Sequence, residues 1–434
     1  MTDTIFAAVD PIRFGGRESR NPLSYRWYEA DRKIRGKSMR DHLRWAVCYW
    51  HSFNWPGGDV FGPGALPRPW LAGAQDHAAA LAKLEAAFDF FTRLGAPFFC
   101  FHDVDAAAQA DTVRALAENV KRIAEPMARK MEQSRVQLLW GTANLFSHPR
   151  YVAGAATNPD PEVFKCAAAQ VRTMLEITHQ LGGANYVLWG GREGYDTLLN
   201  TDMRQELEQF ARFLALVVEH KHKIGFKGTI LIEPKPHEPM KHQYDRDAAT
   251  VVALLEHYDL LDEVKLNIEA NHATLAGSSF EHEVANAIAL GAFGSIDINR
   301  GDPQNGWDTD QFHNDPKEMA LVLRHILAAG GFSTGGFNFD AKLRRQSIDV
   351  DDLFIAHIGG VDVLARGLVY AAAMMEDGTL ERACTERYAG WRQAEGQRIL
   401  KGELSLSTLA DAAGDPKPRS GKQELLENYV NSLV

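Results

Sequence analysis

The chain has no run of 18 uncharged apolar residues, and its opening stretch, MTDTIFAAVDPIRFGG, has no basic region followed by an apolar core. The first absence excludes the usual pattern of a membrane-spanning helix and the second that of a secretory leader. A cytoplasmic location without membrane attachment is therefore expected. Cysteine is scarce: Cys48, Cys100, Cys166 and Cys384 are far apart in 434 residues. Three of them lie in apolar or alanine-rich runs, the setting of buried free thiols rather than of a disulfide framework. Positive charge is in deficit as well. Lys and Arg number 47 against 57 Asp and Glu, giving a formal net charge of −10. That balance opposes attraction to a phosphate backbone and makes nucleic acid an unexpected partner. No short-period repeat is present.

What remains is the composition of a packed globular protein, 45% hydrophobic and 24% charged. Short β-rich runs recur, separated by segments of helical periodicity. Strands are predicted over 46–50, 97–101, 136–140, 185–189, 229–233, 265–269, 295–299 and 336–340, with helices over 75–94, 112–131, 162–181, 204–222 and 316–329. The third helix is well punctuated: Asp160 can cap it, Pro161 suits its first turn, and Gly182 and Gly183 can end it. Eight strand-and-helix pairs without long structureless gaps predict an α/β fold, a TIM (β/α)₈ barrel over residues 41–350. Residues 1–40 form an N-terminal extension, and 351–434 a helical C-terminal arm expected to lie on another subunit.

The chemistry is carried by acids where strands should end: Glu233 in LIEPK, Glu269 in LNIEANH, Asp297 in SIDIN and Asp340 in FNFDAK. In a barrel these ends converge on the face where such enzymes place their active sites. Asp308 and Asp310, in GWDTDQF, add two carboxylates, and His272 stands three residues beyond Glu269. Each acid taken singly could cap a helix, but six converging anions need cations. An oxygen-rich set with one imidazole suits hard divalent ions, Mg²⁺ or Mn²⁺, with Co²⁺ also fitting. In FCFHDVD, His102 follows an apolar strand and Asp105 lies within hydrogen-bonding reach of its ring, a pairing that fixes a tautomer and raises basicity. Lys235, two residues beyond Glu233, could polarise a carbonyl or pair with the neighbouring acids. Trp50, Trp140 and Trp189 end predicted strands, as apolar walls for a ligand or as core.

Together the motifs WAVCYWHSFNW, FHDVD, GTANLFSHPRY, YVLWGGREGY, IEPKPHEPMKHQYD, LNIEANHATLAG, NRGDPQNGWDTDQF and GGFNFDAKLRRQS closely resemble xylose isomerases of the longer-chain class with an N-terminal extension. The resemblance implies conversion of D-xylose to D-xylulose, and of D-glucose to D-fructose, by ring opening and a metal-assisted hydride shift in a homotetramer. It implies two divalent cations per subunit, Mg²⁺ foremost. Glu233, Glu269, Asp297 and Asp340 would hold one; Glu269, His272, Asp308 and Asp310 the other, with Glu269 as the bridge. His102, held by Asp105, would assist ring opening, and Lys235 would contact the oxygen on C1. Thr142, within GTANLFSHPRY, joins the three tryptophans as a substrate-binding residue. Phe61, in the Gly- and Pro-rich loop GGDVFGPGALP, would reach into a neighbouring subunit's active site; packing under its own barrel is the alternative. Ser278 and Glu281, where the family often has His, depart from its pattern, as do Ile298 and Asp196. Isomerisation of a different aldose and metal-dependent cleavage of damaged DNA are the competing readings. The second would require more histidine ligands and a basic rim.

Overall fold

Eight parallel strands close into one barrel in the structure, a computed structural model that describes residues 5–434. They are β1 (Ala46–Cys48), β2 (Phe98–His102), β3 (Gln137–Thr142), β4 (Asn185–Trp189), β5 (Thr229–Glu233), β6 (Val264–Glu269), β7 (Phe293–Asp297) and β8 (Phe337–Phe339), neighbours in chain order, with β8 paired back to β1. The outer helices are α1 (His77–Leu94), α2 (Val113–Ser134), α3 (Pro161–Gln180), α4 (Met203–Ile224), α5 (Ala248–His257), α6 (Phe280–Ala289), α7 (Pro316–Ala328) and α8 (Asp352–Asp377). This is the TIM barrel that the alternation of strands and helices predicts.

The punctuation of α3 works as its residue types dictate. The Asp160 carboxylate accepts the Glu162 N–H at 2.8 Å, Pro161 opens the helix, and Gly182 beyond its end takes φ +68°. β1 is shorter than its composition suggests. AVCYW reads as one strand, but the chain leaves the sheet after Cys48, and the Trp55 N–H donates to the Trp50 carbonyl at 2.9 Å across a wide helical turn. Packing overrides propensity here. Tyr49 is captured by the rings of Phe53, Phe91, Phe99 and Phe101, while Trp50 and His51 swing into the barrel mouth. Cys48 and Cys100, far apart in sequence, are register partners on β1 and β2, and all four thiols are free.

α8 completes the outer ring. A β-carbon at Gly360 would come within 2.5 Å of the Phe339 ring, and one at Gly367 within 2.7 Å of Met319 Cβ, so both glycines permit close approach to β8 and α7. By length and composition α8 could cross a membrane, but 56% of its most apolar window is buried inside the fold. The Asp362 carboxylate on α8 accepts the backbone N–H groups of Arg26, Trp27 and Tyr28, which pins the N-terminal segment against the barrel. Beyond Gly378, helices Thr379–Arg387 and Leu406–Asp411 contain no buried residue.

His357, fully buried on α8, packs against Phe90, Phe312 and Phe339 and bonds the Leu353 carbonyl through Nδ1 at 2.8 Å. Its Nε2 has no partner among the described residues, and burial pushes its pKa down from the ordinary 6.5 to about 4. The unfolded chain therefore binds the proton first as pH falls, and the stability that the neutral ring supports is lost between pH 6.5 and 4. Over that window wild type should lose about 3 kcal/mol relative to His357→Leu, at about 1.4 kcal/mol per pH unit. Denaturant titrations of both proteins at pH 7 and pH 4 measure the difference, and parallel behaviour would refute the assignment.

Candidate metal centre and sugar pocket

The alternation of a strand aims every second side chain inward, and a parallel barrel gathers the ends of all its strands at one mouth. Glu233 ends β5, Glu269 ends β6, Asp297 ends β7, and Asp340 follows β8 by one residue. Glu269 and Asp297 are register partners. These four carboxylates each offer an oxygen within 4.8 Å of the others. Glu269 also groups in this way with Asp308 and Asp310, and with Glu233 and His272. It is common to all three sets, the position that a bridging ligand requires. His272 Nε2 lies 3.1 Å from both Glu269 and Asp308.

The site's electrostatics fit a cation. Burial, followed by repulsion from neighbouring carboxylates, holds Glu233, Glu269 and Asp297 well above the ordinary carboxylate range. Asp297 Oδ2 and His272 Nδ1 are buried without a hydrogen-bond partner among the described residues. Orphaned acceptors among crowded acids are what a hard divalent ion would satisfy.

Around this cluster stands a set of donors that the sequence reading missed. Asn267 donates to Glu233 at 2.9 Å, Asn299 to Glu269 at 2.7 Å, and Asn338 to Asp297 at 3.1 Å. Their signal was parity: Asn267, Asn299 and Asn338 each stand two residues from a site acid, hence on the same face, two of them in strands, which disfavour Asn, and Asn299 just beyond one. His51 Nε2 lies 3.2 Å from Asp310 and 2.9 Å from Asp340, and Lys342 lies 2.9 Å from Asp310. His51 gave no such signal, because it lies on the turn that replaces the end of the first predicted strand.

His102 closes β2, and its Nδ1 meets Asp105 Oδ2 at 2.8 Å, as does its own backbone N–H. Burial alone would lower the His102 pKa, but the Asp105 charge and hydrogen bond outweigh it and hold the ring above the ordinary value. Lys235 Nζ lies 2.7 Å from Asp308 and 3.1 Å from Glu238, and 5.2 Å above the Trp189 ring. Burial would lower its pKa, but these acids raise it, so the ammonium stays charged. Trp50 stacks obliquely on Trp140 at 5.3 Å and meets the His102 ring edge-on at 4.7 Å, while Phe146 meets Trp189 at 4.4 Å. Thr142 donates to the Val187 carbonyl.

All of these predicted residues line one cavity of about 920 Å³, Phe61 alone excepted. Phe61 is 92% exposed at the tip of a tight turn in which Asp59 and Gly62 bond each other, so it is not packed under its own barrel. Gly64, whose β-carbon would lie 2.2 Å from the Pro56 carbonyl, allows that turn to close.

Comparison with known proteins gives the family. Residues 131–317 match the family described as Xylose isomerase-like TIM barrel, and residues 384–434 match the XylA2 C-terminal domain. The chain is 61% identical over 438 residues to the xylose isomerase of Solibacter usitatus, covering 100% of both proteins. It is 58% identical to that of Escherichia coli over 99% of this chain and 98% of that one. Among solved structures, the D-psicose 3-epimerase of Clostridium cellulolyticum H10 superposes with TM-score 0.51 at 11% identity, over 75% of this chain and 99% of that one. An L-ribulose 3-epimerase gives 0.50 at 16% identity, over 71% and 95%. At such identities these two attest the barrel alone.

If the acid clusters are cation sites, Mg²⁺ at a hundred times its Kd should stabilise metal-stripped protein by about 2.7 kcal/mol per independent site. Glu269→Gln should weaken both sites together. Calorimetric counting of bound ions checks this, and loss of one ion with the other retained at full affinity would remove Glu269 from the bridging position.

Proposed function

Because the chain belongs to the xylose isomerase family, whose members match it at 57–61% identity along almost its whole length, we propose that it interconverts D-xylose and D-xylulose, with D-glucose and D-fructose as a second pair. The observation that carries the reading is the meeting, in one cavity, of a seven-ligand acid and imidazole set, a His–Asp dyad and a buried ammonium. Glu233, Glu269, Asp297 and Asp340 would hold one divalent ion, and Glu269, His272, Asp308 and Asp310 a second, with Mg²⁺ foremost and Mn²⁺ or Co²⁺ as substitutes. When bound, these ions supply Lewis-acid polarisation of the sugar's oxygens.

The chain's own residues perform the rest. Asp105 commits Nδ1 of His102, which leaves Nε2 to exchange a proton with the ring oxygen as the pyranose opens. Lys235 presents a permanent charge to the oxygen on C1 of the open chain. Trp50 and Trp140 offer flat apolar faces to the sugar's C–H bonds and exclude water, with Trp189 and Thr142 closing the same wall. Of the acids that line the mouth, six belong to the cation sets, Asp105 holds His102 and Asp111 is solvent-exposed; with the six so committed, the C2 hydrogen would move to C1 without passing through solvent.

In this reading the protein is a cytoplasmic homotetramer. α8 belongs to its own barrel, so the arm that lies on another subunit begins at Gly378, and Phe61 enters a neighbour's pocket. D-xylose turnover with and without Mg²⁺ tests the activity; none in fully metal-loaded protein would overturn it. Xylose deuterated at C2 should yield xylulose that retains the label on C1, whereas washout into water would replace the direct transfer with an enediol. His102→Ala should lose about a hundredfold or more in rate, and Phe61→Ala should also be impaired. Mixing the two after dissociation should restore part of the activity, because some sites then carry both residues intact. Verified subunit exchange without recovery would make Phe61 a residue of no shared site.

A further inference from the structure

The dyad at His102 does not end at Asp105. Lys83, on α1, is 5% exposed, and its Nζ donates to Asn54 Oδ1 at 2.6 Å. Asn54 Nδ2 in turn donates to Asp105 Oδ1 at 2.8 Å, the oxygen that His102 does not use. We propose that Lys83 and Asn54 are positioning residues for His102, forming with Asp105 a buried chain that sets the proton affinity of the imidazole. The inference rests on the reading of His102 as the group that opens the sugar ring.

The direction of each bond gives the chain its effect. An ammonium has donors only, so Lys83 turns the Asn54 carbonyl oxygen toward itself and thereby turns the amide's N–H toward Asp105. Without Lys83 the amide has no such constraint, and in the reversed orientation it would set oxygen against oxygen. Asn54 and the Lys83 charge both stabilise the Asp105 carboxylate, so both reduce its pull on the proton shared with His102. Few other charges compete. Asp105 is the charged group acting on Lys83, while Asp103 and, less strongly, Asp340 add to Asp105 at His102. Tyr49 faces Asp105 from the aromatic core, and Glu85, two residues along α1, is engaged by Lys130 at 2.5 Å.

Nothing in this arrangement favours Lys83 for stability alone. Its ammonium is buried with an amide oxygen as hydrogen-bond acceptor and, among the described residues, no carboxylate in contact, and burial pushes its pKa down to about 8. An apolar side chain of similar length would relieve that burden, so Lys83→Met should fold. What it should lose is control of the dyad.

The test is a ¹³Cε1-histidine NMR titration of the full, Mg²⁺-loaded protein, with the His102 resonance assigned by its absence in His102→Gln. In Lys83→Met the His102 midpoint should move upward, and in Asn54→Leu it should move the same way. Both variants should lose about tenfold in kcat/KM on D-xylose, and the limb of the pH profile that follows His102 should move with the midpoint. An unchanged midpoint in both folded variants overturns the proposal, whatever their activity. Should Lys83→Met fail to fold, Asn54→Leu alone decides it by the same criterion. A wild-type protein without xylose turnover would refute the isomerase reading, and the midpoints would still decide whether the chain sets His102.

Discussion

Mutual repulsion of carboxylates in a dry barrel mouth is the constraint around which this molecule is arranged. Two like charges 4 Å apart repel by about 4 kcal/mol at an effective dielectric of 20, and a whole domain is stable by only about 5–15 kcal/mol. Glu233, Glu269, Asp297 and Asp340, all within ligand-sharing distance, could not all be ionised in isolation without exhausting that margin. Burial raises the proton affinity of three of them in response. Asp340 escapes because His51 and the Trp50 N–H stand against it. The cluster is therefore poised between protons and cations.

The same constraint explains the polar interior on this side of the barrel. Parallel strands covered on both faces ordinarily read as continuous apolar runs. Here Asn267 and Asn338 are fully buried within strands, and Asn299 just beyond one. Each can donate to an anion without adding a charge, so the ring of amides orients carboxylate oxygens while leaving the charge count to whatever cations bind. Lys235 and Lys342 perform the complementary task at Asp308 and Asp310, where the acids come from a loop and the surroundings are less enclosed.

How much of this was legible in the sequence follows from which residues carry a local signal. Acids ending apolar runs, as in TILIE and KLNIE, are costly to bury unpaired and so announce a site; all four converge as their strand-end positions require. The limits of β4 and β5 were readable to the residue because their runs are bounded by turn-forming residues. Trp50 and His51 were not placed by the same logic. Their run has strand composition, and only the capture of Tyr49 by Phe53 and by three phenylalanines from distant elements bends the chain out of the sheet. Lys83 was invisible for a related reason: a lysine in an alanine-rich helix reads as a solvated residue until the helix's packing turns it inward.

Trp50 joins the two halves of the mouth while keeping them distinct. Its N–H bonds Asp340, a member of the acid cluster, at 2.7 Å, and its ring lies 4.7 Å from that of His102. An indole carries no proton that titrates in water, so it can orient a carboxylate on one side and wall an imidazole on the other without relaying charge between them. The two groups that must hold opposite things, cations in one case and a mobile proton in the other, are thus adjacent, with Asp340 the weakest of the acids acting on the imidazole. Asp105, answering to Asn54 and Lys83 behind it, gives His102 a partner outside the carboxylate cluster. The proton affinity of the imidazole is thereby governed first by Asp105 and only last by a member of the cluster, Asp340.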